Sequence, residues 1–180
     1  MTPRLSLARP EAGEHDAAAS GYVALAPSLE DAAAVLSAQR DRVVSVFSPL
    51  DEPRAAFRYA PDKWTTREVL GHLADAERIF AYRLLRTGRG DATPLPGFDE
   101  NTYVPGGAFE RRPLADVVGE WTAARNSTIA LVRGMPPDAW MRRGVSNGQS
   151  VTARGLLYVI VGHVEHHLNV LRERYGLRAG

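Results

Sequence analysis

Cysteine is absent from the 180-residue chain. Disulfides, thiolate-ligated zinc, iron–sulfur clusters and a cysteine nucleophile are therefore excluded. Lysine is nearly absent: Lys63 stands alone, and the other basic residues are arginine. Arginine suits carboxylate and phosphate recognition better than lysine, but Ala and Gly are also plentiful, so the bias reads as overall composition. An excess of one charge is missing too. The 22 basic and 21 acidic residues leave a net charge of +1, which predicts no electrostatic attraction to nucleic acid or to an anionic membrane. The pairs Arg111-Arg112 and Arg142-Arg143 are too short for a nucleic-acid footprint. No stretch reaches the ~18–20 apolar residues of a membrane span, and Met1 to Ser20 lacks the apolar run of a signal sequence. The expectation is a soluble, cytoplasmic protein with no nucleic-acid or membrane partner.

What is present is a globular composition, 44% hydrophobic and 24% charged, in a length that suits one domain with a real core. Residues 1–27 are rich in Ala, Pro and Gly without sustained periodicity and read as an N-terminal tail or loosely packed arm. His15, in this stretch, reads as a solvated histidine. Residues 28–176 carry four helical patterns. The first starts at Ser28, holds Leu29, Ala32, Leu36, Val43, Phe47 and Leu50 on a 3.6-residue stripe, and ends before Pro53. The second follows Lys63-Trp64, where Thr65 and Glu68 have capping-box spacing, and stops at Gly88 and Gly90. The third opens at Pro113 and closes at Gly134. The fourth runs from about Val151 to Tyr175. Between the second and third lies a segment rich in Pro and Gly, 89–112, which reads as neither regular helix nor central strand. Residues 135–150 read as a further connection, and no alternating strand pattern stands out. The fold class is all-α, a four-helix bundle.

Four of the five histidines fall in these helices. Positions 156, 160, 163, 167, 171 and 174 share one face of the fourth helix. His163 and His167 therefore lie in the core stripe, one turn apart, where both imidazoles can aim at one point. His166 lies about 100° around the helix and is expected to face outward or to make a supporting contact. His72 shares a stripe with Val69, Ala76 and Ile79, inward or at the bundle seam. If helices two and four are neighbours, three imidazoles converge. Three histidines with a free fourth position are a catalytic arrangement for zinc, and imidazole also suits nickel, iron and copper. Two metal patterns are excluded. A zincin needs glutamate directly after the first histidine, and Val164 stands there. Di-iron bundles need glutamate three residues before each histidine, and Val69 and Ile160 stand there.

Tyr59-Ala60-Pro61-Asp62-Lys63-Trp64-Thr65, followed by Glu68-Val69-Leu70-Gly71-His72-Leu73, resembles the start of the second helix in the DinB-like superfamily. Gly162-His163-Val164-Glu165-His166-His167-Leu168 resembles its fourth-helix histidine motif, and the segment with Phe98-Asp99-Glu100-Asn101 is also similar. The resemblance covers roughly residues 30–176. It implies an up-down-down-up bundle, with 88–112 as a long crossover between helices two and three. It also implies a divalent metal, zinc or nickel, on His72, His163 and His167, and a homodimer. The activity it implies is a metal-dependent enzyme acting on a small molecule, first a transferase using a low-molecular-weight thiol, alternatively a hydrolase. A non-catalytic, stress-related metal- or ligand-binding dimer is the remaining alternative. Arg83 or Arg154 would meet cofactor carboxylates, and Asp75, Glu77 or Glu165 would serve as a base or support an imidazole.

Overall fold

The structure, a computed structural model, describes residues 5–178. Four long helices carry the fold: α2 (Ala32–Phe47), α4 (Thr66–Gly88), α6 (Leu114–Arg133) and α7 (Ala153–Arg174). Three shorter ones are α1 (Ser20–Leu25), α3 (Glu52–Ala55) and α5 (Glu100–Gly107). Their starts follow the chain's capping chemistry. Thr65 accepts from the Glu68 amide, and the Glu68 carboxylate accepts from the Thr65 amide, which closes the expected capping box. Asp31 caps α2, so this helix begins later than the Ser28 expected from the stripe. Pro113 sits at the N-cap of α6, one position before the place expected for it.

The long helices pack α2 on α6 and α7, and α4 on α6 and α7. Two apolar clusters fill the bundle. One holds Leu36, Leu84, Ile129 and Val161; the other holds Val43, Leu73, Trp121 and Val164. Going from the first cluster to the second, residue numbers rise along α2 and α7 and fall along α4 and α6. A polar layer lies between the clusters. Arg125, fully buried, donates to Gln39 Oε1 at 2.8 Å and to Glu77 Oε2 at 2.7 Å. Gln39 in turn donates to the Val161 carbonyl and to Glu165. This network ties all four long helices together.

Two connections hold structure that the sequence reading missed. Residues 135–150 were expected as plain connection, but Arg143–Ser146 and Gln149–Thr152 pair antiparallel as β1 and β2. The turn is Asn147-Gly148, both with positive φ (52° and 74°), the two-residue hairpin chemistry that Asn-Gly favours. The segment 89–112 contains α5, capped by Asp99, and a 3₁₀ turn at Phe109–Arg111. Pro105, inside α5, has no amide to donate, and the helix ends two residues later at Gly107.

Residues 5–27, expected as a tail or loosely packed arm, lie against the bundle. Leu7 bridges to Leu29, and α1 packs along α7. Glu14 is buried. It accepts from Thr152 Oγ1 at 2.8 Å and from Arg154, and its carboxyl is held down to about 2 against the opposing effect of burial. Gly155 and Gly162, seven residues apart on α7, make room for the arm: a Cβ would overlap the carbonyls of Glu14 and Tyr22 respectively. Gly162→Ala is therefore expected to lift the arm and lower stability by about 1–3 kcal/mol, the usual cost of overpacking. Faster proteolytic cleavage within residues 5–27 would report it; an unchanged cleavage pattern would contradict the packing.

Candidate metal centre

The bundle brings His72 of α4 against His163 and His167 of α7. All three are buried, at 5%, 4% and 9% exposure. Each offers a ligand atom within 4.8 Å of the others'. The ring centroids lie 4.6 to 5.0 Å apart, and Nε2 of His72 is 3.0 Å from Nε2 of His163. Zinc–nitrogen bonds of ~2.0–2.1 Å in a tetrahedron set ligand nitrogens about 3.3–3.4 Å apart, so the His72–His163 pair needs to open only by a few tenths of an ångström.

The chemistry of the donors fits as well. A hydrogen bond between His72 and His163 would satisfy one pair of nitrogens, yet Nδ1 of His72 and Nδ1 of His167 are buried without partners among the described residues. Burial drives all three imidazoles toward the neutral, ligating form. His72 is lowered to about 4 by burial and by nearby His166. His163 and His167 are also lowered well below the usual imidazole value, again chiefly by burial and then by neighbouring histidines. In the metal-free protein this has a stability consequence. The unfolded chain takes up a proton at His72 below about pH 6.5, and the folded site refuses it until about 4. Stability should thus fall as pH drops through that window, by about 3 kcal/mol for the His72 displacement alone. Urea unfolding of chelator-treated protein between pH 7.5 and 4.5 measures it, and a flat profile would contradict the burial argument.

Aromatic side chains hold the rings. Trp64 lies 4.9 Å from His72, centroid to centroid, and its carbonyl accepts from Tyr175 Oη at 2.7 Å. Burial pushes the Tyr175 phenol up to about 12, which keeps it a donor. Phe80 and Tyr22 meet His163 edge-on, both at 5.3 Å. The triad forms part of the wall of a cavity of about 410 Å³. Exposed Ala18, Gly97 and Asn147 lie on the same wall, so the cavity reaches the surface.

Several expectations change. His166, expected to face outward or to make a supporting contact, is half-buried and lines the cavity, because α1 covers that side of α7. Tyr22 contacts its ring at 5.3 Å. His15 lines the cavity too, its Nδ1 2.9 Å from the Asp16 carbonyl. Arg154 is taken by Glu14 and is not a cavity residue, whereas Arg83 is one. None of the three carboxylates expected as bases faces the site. Glu77 is paired with Arg125, Glu165 with Arg42, and Asp75 lies beside Arg78 and does not line the cavity. The carboxylates on the cavity wall are Asp16 and Glu100, from the arm and the crossover. Neither was singled out from sequence. The Gly155 and Gly162 spacing was the signal that a second backbone passes over α7.

A family model described as the DinB superfamily matches residues 11–171. No curated protein matches the chain in sequence. Among solved structures, one similar fold is YfiT from Bacillus subtilis, described as a probable metal-dependent hydrolase with an unusual four-helix bundle topology. It is 19% identical, has a TM-score of 0.70, and the match covers 83% of this chain and 90% of that one. Another is the mycothiol-dependent maleylpyruvate isomerase, 15% identical with a TM-score of 0.64. That match covers 84% of this chain but only 62% of the isomerase, which is the longer protein. At these identities the likeness concerns the fold.

Proposed function

The chain belongs to the DinB superfamily, and from that premise we propose that it is a metal-dependent enzyme, a transferase using a low-molecular-weight thiol. Its ligands are His72, His163 and His167, and its metal is zinc or nickel. The observation that carries this reading is the convergence of three neutral imidazoles on the wall of a surface-reaching cavity. A closed site would fit a structural metal instead. A divalent metal here supplies Lewis acidity, lowering the pKa of a thiol or water brought to it. The protein's own part is to hold three neutral donors, with Trp64 and Phe80 against their rings, and to bound the site with the arm and the crossover. A chain without cysteine must import its thiol.

The preference for a thiol over water rests on the carboxylates. Hydrolysis calls for a base close to the metal, and no carboxylate among the described residues joins the three histidines within their mutual reach. In the hydrolase reading, favoured by the likeness to YfiT, proton transfer falls to His166. The isomerase is described as thiol-dependent, which favours the first reading. The bundle, residues 28–176, carries the ligands, and the arm before it supplies one wall. An up-down-down-up course for α2, α4, α6 and α7 is part of the same proposal, supported by the opposite order in which these helices meet the two apolar clusters. So are a cytoplasmic location, expected from the lack of a signal-like or membrane-spanning run, and a homodimer, which the resemblance implies.

The test is a paired assay of zinc- or nickel-loaded protein. One arm offers glutathione, mycothiol, bacillithiol or coenzyme A with a chromogenic electrophile; the other offers esters and amides without thiol. Metal-dependent conjugation with one thiol, lost in His163→Gln, is the expected result. Metal-dependent hydrolysis without thiol would replace the transferase by the hydrolase. Bound metal with neither activity would leave a binding protein.

A further inference from the structure

Three arginines are buried in the described residues: Arg67 at 6%, Arg83 at 8% and Arg125 at 0% exposure. Two have a carboxylate. Arg67 pairs with Glu52, and Arg125 with Glu77. Arg83 has none within ion-pair distance among the described residues. Its one hydrogen bond there runs from Nη2 to the Pro96 carbonyl at 2.8 Å. A neutral donor could make that bond, so it does not explain a guanidinium. Burying a charge without a counter-ion is costly, and burial here works against the charged form, with Asp16 opposing only in part.

Arg83 is also held in place. Its guanidinium carbon lies 5.7 Å from the ring centroids of both Phe80 and Phe98, a cation–π setting that orients it. It lines the same cavity as the histidine triad. Along α4, His72, Ala76, Phe80 and Arg83 follow one another at helical spacing on one face. Eleven residues rise about 16 Å, and a long helical side chain leans back toward the helix N-terminus, here toward the triad. The guanidinium therefore stands on the order of 10 Å from the metal ligands, with Phe80 bridging the interval, since its ring also meets His163.

The cavity's other charges limit the ligand. Asp16 is committed, its carboxylate accepting from the Ala18 amide at 2.9 Å and from Asn147 Nδ2 at 3.1 Å. Glu100 also lies on the wall. With two carboxylates on the wall and one guanidinium, a dianionic phosphate is less favourable there than a monoanion.

We propose that the cavity takes a small molecule bearing one carboxylate, which Arg83 binds through its guanidinium fork while the molecule's reactive end lies at the histidine triad. The inference rests on reading this cavity as the substrate site.

The probes are 4-phenylbutanoate, its neutral amide and 3-phenylpropylphosphonate, titrated calorimetrically into zinc-loaded and chelator-treated protein. The acid should bind at least tenfold more tightly than the amide and the phosphonate, with or without zinc. Arg83→Met should bring the acid to the level of the amide and leave the amide unchanged, which also shows that the variant is folded. Arg83→Lys should keep part of the preference. Equal binding of acid and amide to the wild type overturns the proposal, as does a preference that survives Arg83→Met. A phosphonate preferred over the acid overturns the monoanion assignment. A preference that vanishes on chelation places the carboxylate on the metal, which overturns Arg83's role and leaves the metal reading intact. An acid preference in protein that retains no zinc supports Arg83 while the metal reading falls.

Discussion

His163→Ala is expected to cost the protein its bound divalent metal. His163 is the least exposed member of the triad, its ring meets both His72 and His167, and its Nε2 is 3.0 Å from that of His72. Outer partners of metal ligands already govern affinity by about 10–100-fold, so loss of a ligand should weaken it by at least about 100-fold. Elemental analysis after gel filtration should find near-stoichiometric metal in the wild type and little in the variant. The loss should also appear as stability. At a metal concentration of about 1,000 times Kd, binding adds about 4 kcal/mol to the folded state, and this increment should vanish in the variant. His163→Gln, which keeps most of the volume, separates metal loss from a cavity in the core. Equal metal content in wild type and both variants would remove the central claim.

The second large effect belongs to the polar layer. Arg125→Met removes the donor that Glu77 and Gln39 share and leaves Glu77, only 2% exposed, as a buried carboxylate without its cation. Breaking a buried pair from one side costs about 3–5 kcal/mol. The change would be read from the urea midpoint of metal-free protein at pH 7.5, with the slope checked for constancy. The double variant Arg125→Met with Glu77→Leu should recover most of the loss, because two apolar side chains then replace a pair that had to be desolvated. A single variant within about 1 kcal/mol of wild type would mean that the pair holds little of the bundle together. Both experiments act on the same level of the fold, since Arg125 contributes to the field that keeps His163 neutral.

Much of this was legible in advance where the signal is local. The Thr65–Glu68 capping box closes as written because its two hydrogen bonds involve residues three apart. The i, i+4 spacing put His163 and His167 on one face before any partner helix was known. The hairpin was missed although its Asn147-Gly148 turn is a short-range signal; its strands are four residues each, too short for alternation to show. The polar layer was not legible at all. Glu77 is expected from sequence as a base or a support for an imidazole, nothing there singles out Gln39 or Arg125, and only the meeting of three helices makes them partners.

The same division runs through the metal centre with which the chain's four helical histidines began. The sequence by itself determined two candidate ligands, their helix and their inward direction, because helical periodicity fixes the direction of a side chain from its number. The tertiary structure decided what those directions met. It placed α4 beside α7, so that His72 completes the triad. It laid the arm over α7 across Gly155 and Gly162, so that His166, outward on a helical wheel that allows for one core, lines a cavity instead. It left Arg83 buried with no carboxylate within ion-pair distance among the described residues, while Arg67 and Arg125 found theirs. A helix's faces are set by near neighbours in the chain, but what each face packs against is a matter of long-range contact.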